Sequence, residues 1–196
     1  MAGFGAVNAI VVAAACAPAV VKPGPVRQEL DWPAYLGSAR HDAAATETLN
    51  QDPRSLWRAT MHRGVRGSPA IGETILAVGT ADRHLVLIDR ASGETLWRRR
   101  LDGTVRAGPL LDDDRLYVAT EAQPDGRVYA IRLRDGERLW RTRSGSVAAP
   151  LAYDGDALYA ATEEGTVARL DPETGSVVWR RELPAEGAIR AAPVPT

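Results

Sequence analysis

The stretch Asp89-Arg90-Ala91-Ser92-Gly93-Glu94-Thr95-Leu96-Trp97 decides the fold, because the chain returns to it twice. A second copy runs from Arg132 to Trp140 with Gly136 inside it, and a third from Asp171 to Trp179 with Gly175. The glycine stands four residues before the tryptophan each time. A weaker copy, Ser55-Leu56-Trp57, precedes them. The four tryptophans, Trp57, Trp97, Trp140 and Trp179, are spaced by 40, 43 and 39 residues. Self-similarity at this period marks a repeat architecture and outranks any local secondary-structure reading.

The remainder of each unit repeats as well. A small residue followed by proline comes soon after each tryptophan: Ser68-Pro69, Gly108-Pro109, Ala149-Pro150 and Ala192-Pro193. An apolar segment closing on threonine follows, at Thr80, Thr120 and Thr162. An alternating strand comes next, at 84–88, 127–131 and 166–170. The longer second unit carries its extra residues in the turn Glu121-Ala122-Gln123-Pro124-Asp125-Gly126. Four short apolar segments per unit, separated by Asp-Gly and related turns that reach positive φ, predict an antiparallel meander. Units of this length with four strands each are blades of a β-propeller. The fold class is all-β: about three full four-stranded blades plus partial ones. The glycine permits a tight turn into the last strand. The tryptophan is expected to pack neighbouring blades together, since one large ring buries much area.

Asp89-x-x-Ser-Gly93-x-x-x-Trp97 and Asp171-x-x-Thr-Gly175-x-x-x-Trp179 resemble the tryptophan-docking repeat of pyrroloquinoline-quinone-type (PQQ-like) β-propellers. The opening Trp32-Pro33-Ala34-Tyr35-Leu36-Gly37, with His41-Asp42 soon after, is similar to the start of exported members. The resemblance covers about Asp31 to Thr196. It implies a propeller of seven or eight blades. It implies two classes of function, because the superfamily holds quinone-dependent alcohol and glucose dehydrogenases alongside non-enzymatic relatives such as the lipoprotein propeller of outer-membrane barrel assembly. The repeat residues hold blades together in both, so they do not choose between the classes. The fourth unit, from 180, stops at Thr196 inside its first strand, so the chain is expected to be an N-terminal fragment. The alternatives are a short propeller closed by its opening segment and closure by oligomerisation, since an open array exposes strand edges.

Three stretches are expected along the chain: a signal-like segment 1–16, a proline-rich linker 17–30 and the propeller from 31. Met1 to Val21 holds no charged side chain, and an apolar run ends in Ala13-Ala14-Ala15-Cys16. The run is too short to span a bilayer but fits the h-region of an export signal. Small residues before a cysteine resemble a bacterial lipobox, which makes Cys16 a lipidation candidate and implies a lipid-anchored protein of the cell envelope. The n-region lacks Lys and Arg, and Ala13 replaces the usual leucine. An ordinary secretory signal therefore stays open. Cys16 is the one cysteine, so no intrachain disulfide can form. The net charge of −1 offers no field for nucleic acid.

Little in the chain suggests catalysis. His41, His62 and His84 share no metal-ligand spacing. Gly103-Thr104-Val105-Arg106-Ala107-Gly108 lacks the Lys-Ser/Thr of a phosphate loop, and no Gly-x-Ser-x-Gly elbow occurs. Asp112-Asp113-Asp114 reads as a hairpin turn before it reads as a calcium site. The paired cysteines typical of the quinone dehydrogenases are missing, and their calcium ligands match no position. PQQ and calcium are therefore expected only under the dehydrogenase alternative. One constellation stands out. Arg66, Arg106 and Arg190 each lie three residues before the repeat proline, and the third unit breaks the pattern with Ser146-Val147. If the first strands are innermost, these arginines ring one mouth of the central channel and attract a carboxylate or an acidic partner segment. The alternative is that each pairs with a nearby Asp or Glu or is solvated. The reading adopted is a non-enzymatic envelope propeller that binds a protein partner, with a membrane protein in view. A quinone-dependent dehydrogenase is the alternative, and a ligand-sensing domain is a third class.

Overall fold

The computed structural model describes residues 32–37, 52–61, 63–184 and 189–193. Cys16, His41 and His62 lie outside them. Twelve strands form three four-stranded sheets, each an antiparallel meander in chain order. The first sheet holds β1 (Ala70–Ile71), β2 (Ile75–Gly79), β3 (His84–Asp89) and β4 (Thr95–Arg100). The second holds β5 (Leu110–Asp112), β6 (Arg115–Ala119), β7 (Arg127–Arg132) and β8 (Arg138–Arg143). The third holds β9 (Ala152–Tyr153), β10 (Leu158–Ala161), β11 (Thr166–Leu170) and β12 (Val177–Glu182). These are the blades of a partial β-propeller, as the repeats predict.

Burial explains why the middle strands read as continuous apolar runs. Side chains alternate faces along a strand, and both faces of the second blade are covered. Leu116, Val118, Tyr129 and Ile131 pack toward the first blade with Leu85, Leu87 and Val105. Their alternating neighbours Tyr117, Ala119, Val128 and Ala130 pack toward the third with Val147, Leu158 and Leu170. The outer face of the first blade, Val78, Val86 and Ile88, is covered by Trp57 and Met61. The last strand of each blade is largely exposed and carries the arginines.

The hairpin before each last strand has one construction. Gly93, Gly136 and Gly175 sit at φ of 76°, 68° and 70°. The strand register shifts once just before each turn, at Leu87/Ile88, Ala130/Ile131 and Arg169/Leu170. The extra residue is Leu96, Leu139 or Val178, three positions beyond the glycine, so the glycine shapes the turn and a separate bulge in the last strand increases the local twist. Asp89 Oδ1 accepts from the Ala91 and Ser92 amides and the Ser92 hydroxyl. Asp171 Oδ1 does the same with Glu173 and Thr174. The second unit has Arg132 at that position. It closes the turn from the other side, reaching Asp135 at 3.2 Å and Glu137 at 2.8 Å.

The donors hold both turn carboxyls below the ordinary aspartate range. For Asp89 the Ser92 amide and then its hydroxyl are the cause; for Asp171 the Thr174 amide and then its hydroxyl. A depressed folded-state pKa adds stability that is present above the unfolded value, about 4, and is lost as pH falls through the folded one. Asp89→Asn with Asp171→Asn is therefore expected to flatten the fall in melting temperature at acid pH. An unchanged slope below about pH 4 would remove these two carboxyls from the acid transition.

The repeat threonine closes the other hairpin. Thr80, Thr120 and Thr162 are buried. Their hydroxyls accept the amide of the first residue of the third strand: His84 at 3.1 Å, Arg127 at 3.0 Å and Thr166 at 3.1 Å. The longer turn of the second unit keeps the same contact, which is why its insertion leaves the strands in register. Thr120→Val preserves shape but strands the Arg127 amide. It is expected to cost about 1–2 kcal/mol in chemical denaturation.

Candidate partner-binding site at the inner edge of the blades

The first strands of neighbouring blades meet at the inner edge, where β1 lies beside β5. Two glycines let the backbones close up there. A Cβ on Gly67 would stand 2.6 Å from the Gly108 nitrogen, and one on Gly108 would stand 2.5 Å from the Ser68 carbonyl oxygen. The opening segment binds this edge as well. Trp32 and Ile71 exchange backbone hydrogen bonds at 2.9 and 2.7 Å, and the Leu111 amide donates to Pro33 at 2.8 Å. Tyr35 and Leu36 thereby join the lining of a cavity formed by the segments that lead into the first strands.

That cavity has a volume of about 530 Å³. Arg66, Arg106 and Arg190 all line it, and among the described residues no acidic one does. The three arginines singled out by their spacing are brought together on one space. Their surroundings differ. The Arg106 Nε lies 2.7 Å from Glu121 Oε2. Glu121 follows the repeat threonine, and its amide bonds the Thr104 carbonyl. In the first unit the same backbone bond runs from Ala81 to Gly64, so the residue in Glu121's place carries no charge. Among the described residues, neither Arg66 nor Arg190 has an ion-pair partner.

The third unit corrects the sequence alignment. The Glu163 amide donates to Ser146 O, as Glu121 does to Thr104 and Ala81 to Gly64. Ser146 therefore matches Thr104, and Val147 matches Val105; both valines are fully buried. The residue in the arginine's place is Ala148, which lines the cavity. Counting back from the proline misses this, because the third unit has one residue fewer between that position and Pro150. Glu163, without an arginine, accepts from the Ser146 hydroxyl at 2.9 Å.

The tryptophans occupy the seams between blades. Trp57 packs on Gly93, Trp97 on Gly136 and Trp140 on Gly175. Each indole N–H donates to the carbonyl three residues before that glycine: Arg90 at 2.8 Å, Leu133 at 2.7 Å and Pro172 at 2.9 Å. Two residues beyond Trp97 and Trp140, Arg99 and Thr142 donate to the glycine carbonyl itself. Trp179 has different company. Arg181 lies over its ring at 5.4 Å and Tyr159 beside it at 6.3 Å.

Among the described residues the remaining candidates lie apart. The three aspartates of 112–114 diverge. Burial raises the Asp112 carboxyl, whereas Asp114 lies 3.5 Å from Arg115 in the exposed turn. His84 lies 3.4 Å from Asp82 and 3.1 Å from Arg98. Calcium asks for six or more oxygen ligands. Among the described residues no three His, Cys, Asp or Glu side chains converge on one point. Glu121 is committed to Arg106.

A family profile described as outer membrane protein assembly factor BamB matches residues 46–194. The chain belongs to this family. BamB of Marinobacter adhaerens is 30% identical over 126 residues, which is 63% of this chain and 31% of that protein. The quinohemoprotein alcohol dehydrogenase ADH IIB of Pseudomonas putida is 24% identical over 143 residues, 60% of this chain and 20% of that one. The crystal structure of BamB from Moraxella catarrhalis superposes with a TM-score of 0.55 at 21% identity, covering 64% of this chain and 40% of that structure. The last similarity speaks for the fold alone. The chain spans about a third of the length of the BamB relatives it matches.

Proposed function

We propose that this chain is a protein-binding scaffold of the cell envelope that serves outer-membrane protein assembly. The observation that carries the reading is the BamB family match over 46–194, most of the propeller. The blade seams support it, because the repeated tryptophans and glycines are spent on rigidity and leave the loops and the inner cavity to a partner. A lipid on Cys16 would tether such a scaffold to a bacterial membrane through the 17–30 linker, and an ordinary secretory signal would release it. The test is affinity purification of the tagged chain from cross-linked envelopes of its own host. Recovery of an outer-membrane protein or an assembly component is expected. Recovery of none, with the chain folded and exported, would sink the reading.

A second reading is favoured by one observation, the relationship to the Pseudomonas putida quinohemoprotein alcohol dehydrogenase. It requires a quinone site built by residues other than those described. Dye-linked alcohol oxidation after addition of PQQ and calcium would support it over the scaffold.

A further inference from the structure

We propose that the inner-edge cavity ringed by Arg66, Arg106 and Arg190 receives an extended, carboxylate-bearing segment of a protein partner, and that Glu121 moderates its grip. The inference rests on the scaffold reading and names the chemistry of the segment that the scaffold would hold.

Charge complementarity is the first argument. Arg66, Arg106 and Arg190 line one cavity of about 530 Å³, and its other described lining residues are uncharged, among them Leu36, Ala107, Ala148 and Pro150. Guanidinium groups match carboxylates with paired, charge-assisted hydrogen bonds. An apolar lining between them suits a peptide, which brings carboxylates and aliphatic surface together, better than it suits a small hydrated anion. The cavity is also larger than one carboxylate needs.

The second argument comes from comparing the units. Each has the same backbone pairing between the residue after the threonine and the residue two before the arginine position. The unit pairs therefore show what the fold does with charge there. Where an arginine and an acid coincide, as at Arg106 and Glu121, they pair at 2.7 Å. Where an acid stands alone, as at Glu163, it is satisfied by the Ser146 hydroxyl. Where the arginine stands alone, as at Arg66 opposite Ala81, nothing among the described residues answers it. Arg190 likewise has no described partner. Among the described residues the two acids at this position are thus paired and two cations are left lining the cavity. Arg66 is exposed and Arg106 is 44% exposed at the side chain, so both are within reach of an incoming segment.

The experiment measures binding of a fluorescein-labelled hexaglutamate peptide to the full chain by anisotropy at low salt. Saturable binding is expected. Arg66→Ala with Arg190→Ala is expected to weaken it about tenfold, as loss of charge-assisted contacts would. Glu121→Gln, which frees Arg106, is expected to tighten it about threefold. Arg100→Ala with Arg138→Ala removes two exposed arginines from the outermost strands β4 and β8. That control changes net charge equally and is expected to leave binding unaltered. Absence of saturable binding by the wild-type chain would overturn the proposal. So would equal weakening by the two double variants, because binding would then follow net charge and not the cavity. Circular dichroism of each variant ensures that a lost fold is not read as a lost site. If envelope partners still co-purify while hexaglutamate does not bind, the scaffold reading survives and this inference fails. If no partner co-purifies, the scaffold reading fails by itself, whatever the peptide does.

Discussion

Trp140→Ala is expected to destabilise the chain by about 3 kcal/mol in guanidinium unfolding, whereas Trp179→Ala is expected to cost less than about 1 kcal/mol. The two residues end the same sequence motif, so the difference isolates docking from composition. Trp140 lies over Gly175, tilts against Tyr117 with ring centroids 6.0 Å apart, and donates its N–H to Pro172. Its removal opens a cavity in the seam between the second and third blades, where packing cannot relax because both sheets are fixed by their own ladders. Trp179 touches Arg181 and Tyr159, and both can close over the gap it leaves. Trp140→Phe refines the test. The Pro172 carbonyl also receives the Tyr117 hydroxyl at 3.3 Å and Arg115 at 3.5 Å. It keeps those donors when the indole N–H is lost, so phenylalanine is expected to cost only about 1 kcal/mol. Equal losses for Trp140→Ala and Trp179→Ala would mean that the indole stabilises its own hairpin and not the seam.

The contrast between these tryptophans shows how far the sequence could be read. The Gly-x-x-x-Trp spacing is local; at Trp97 and Trp140 the glycine sits in a turn, the tryptophan in a strand, and its ring on a glycine. The target of each ring is not local: it is a glycine thirty-five to thirty-nine residues further on, in the next copy of the motif. One glycine thus has two reasons to be glycine, positive φ within its own hairpin and closeness to the preceding blade's indole. The arginine cluster was legible for a similar reason, since a fixed offset from a strand-starting proline implies a common radial position. It failed in the third unit, where hydrogen bonding and not the proline sets the register. Ala148 occupies the arginine position there, and the backbone pairing of Glu163 with Ser146 is what reveals it. The threonines repeated as plainly as the tryptophans. Their capping of the third strand was missed because a buried hydroxyl and a buried methyl look alike in an apolar run. The pairing of Glu121 with Arg106 could have been found from the threonine register, since Glu121 directly follows Thr120 in a unit that carries both charges.

Gly175→Ala should be the most costly single-methyl change in the chain that can be argued from both backbone and packing. The expected loss is about 3 kcal/mol in the same unfolding measurement. Two penalties add. The residue sits at φ of 70°, where a side chain is strained by roughly 1–2 kcal/mol. The added methyl would also stand 2.5 Å from Trp140 Cε3 and 2.9 Å from the Thr142 hydroxyl, so the indole must tilt away or the blades must part. Gly155→Ala separates the two penalties. Gly155 has φ of 98° but nothing within 4 Å of the new methyl, so only the backbone cost of about 1 kcal/mol is expected. Gly64→Ala carries neither penalty, with no positive φ and open space, and is expected to be nearly neutral. The ordering 175, 155, 64 follows from geometry alone. A Gly175→Ala variant no worse than Gly155→Ala would show that the seam yields easily to the methyl. The propeller would then owe its blade spacing to the inner edge, where Gly67 and Gly108 meet, rather than to the outer tryptophans. That outcome would also shift the expected weak point of the chain. Unfolding would begin at the outer seams, while the inner edge, held by the Trp32–Ile71 and Pro33–Leu111 backbone bonds, persists. The tryptophan-controlled alternative predicts the reverse order: the first strands separate and the arginine-lined cavity comes apart before the seams open. Hydrogen exchange distinguishes them, because slow exchange at the Ile71 and Leu111 amides alongside fast exchange in β8 and β12 belongs only to the first order.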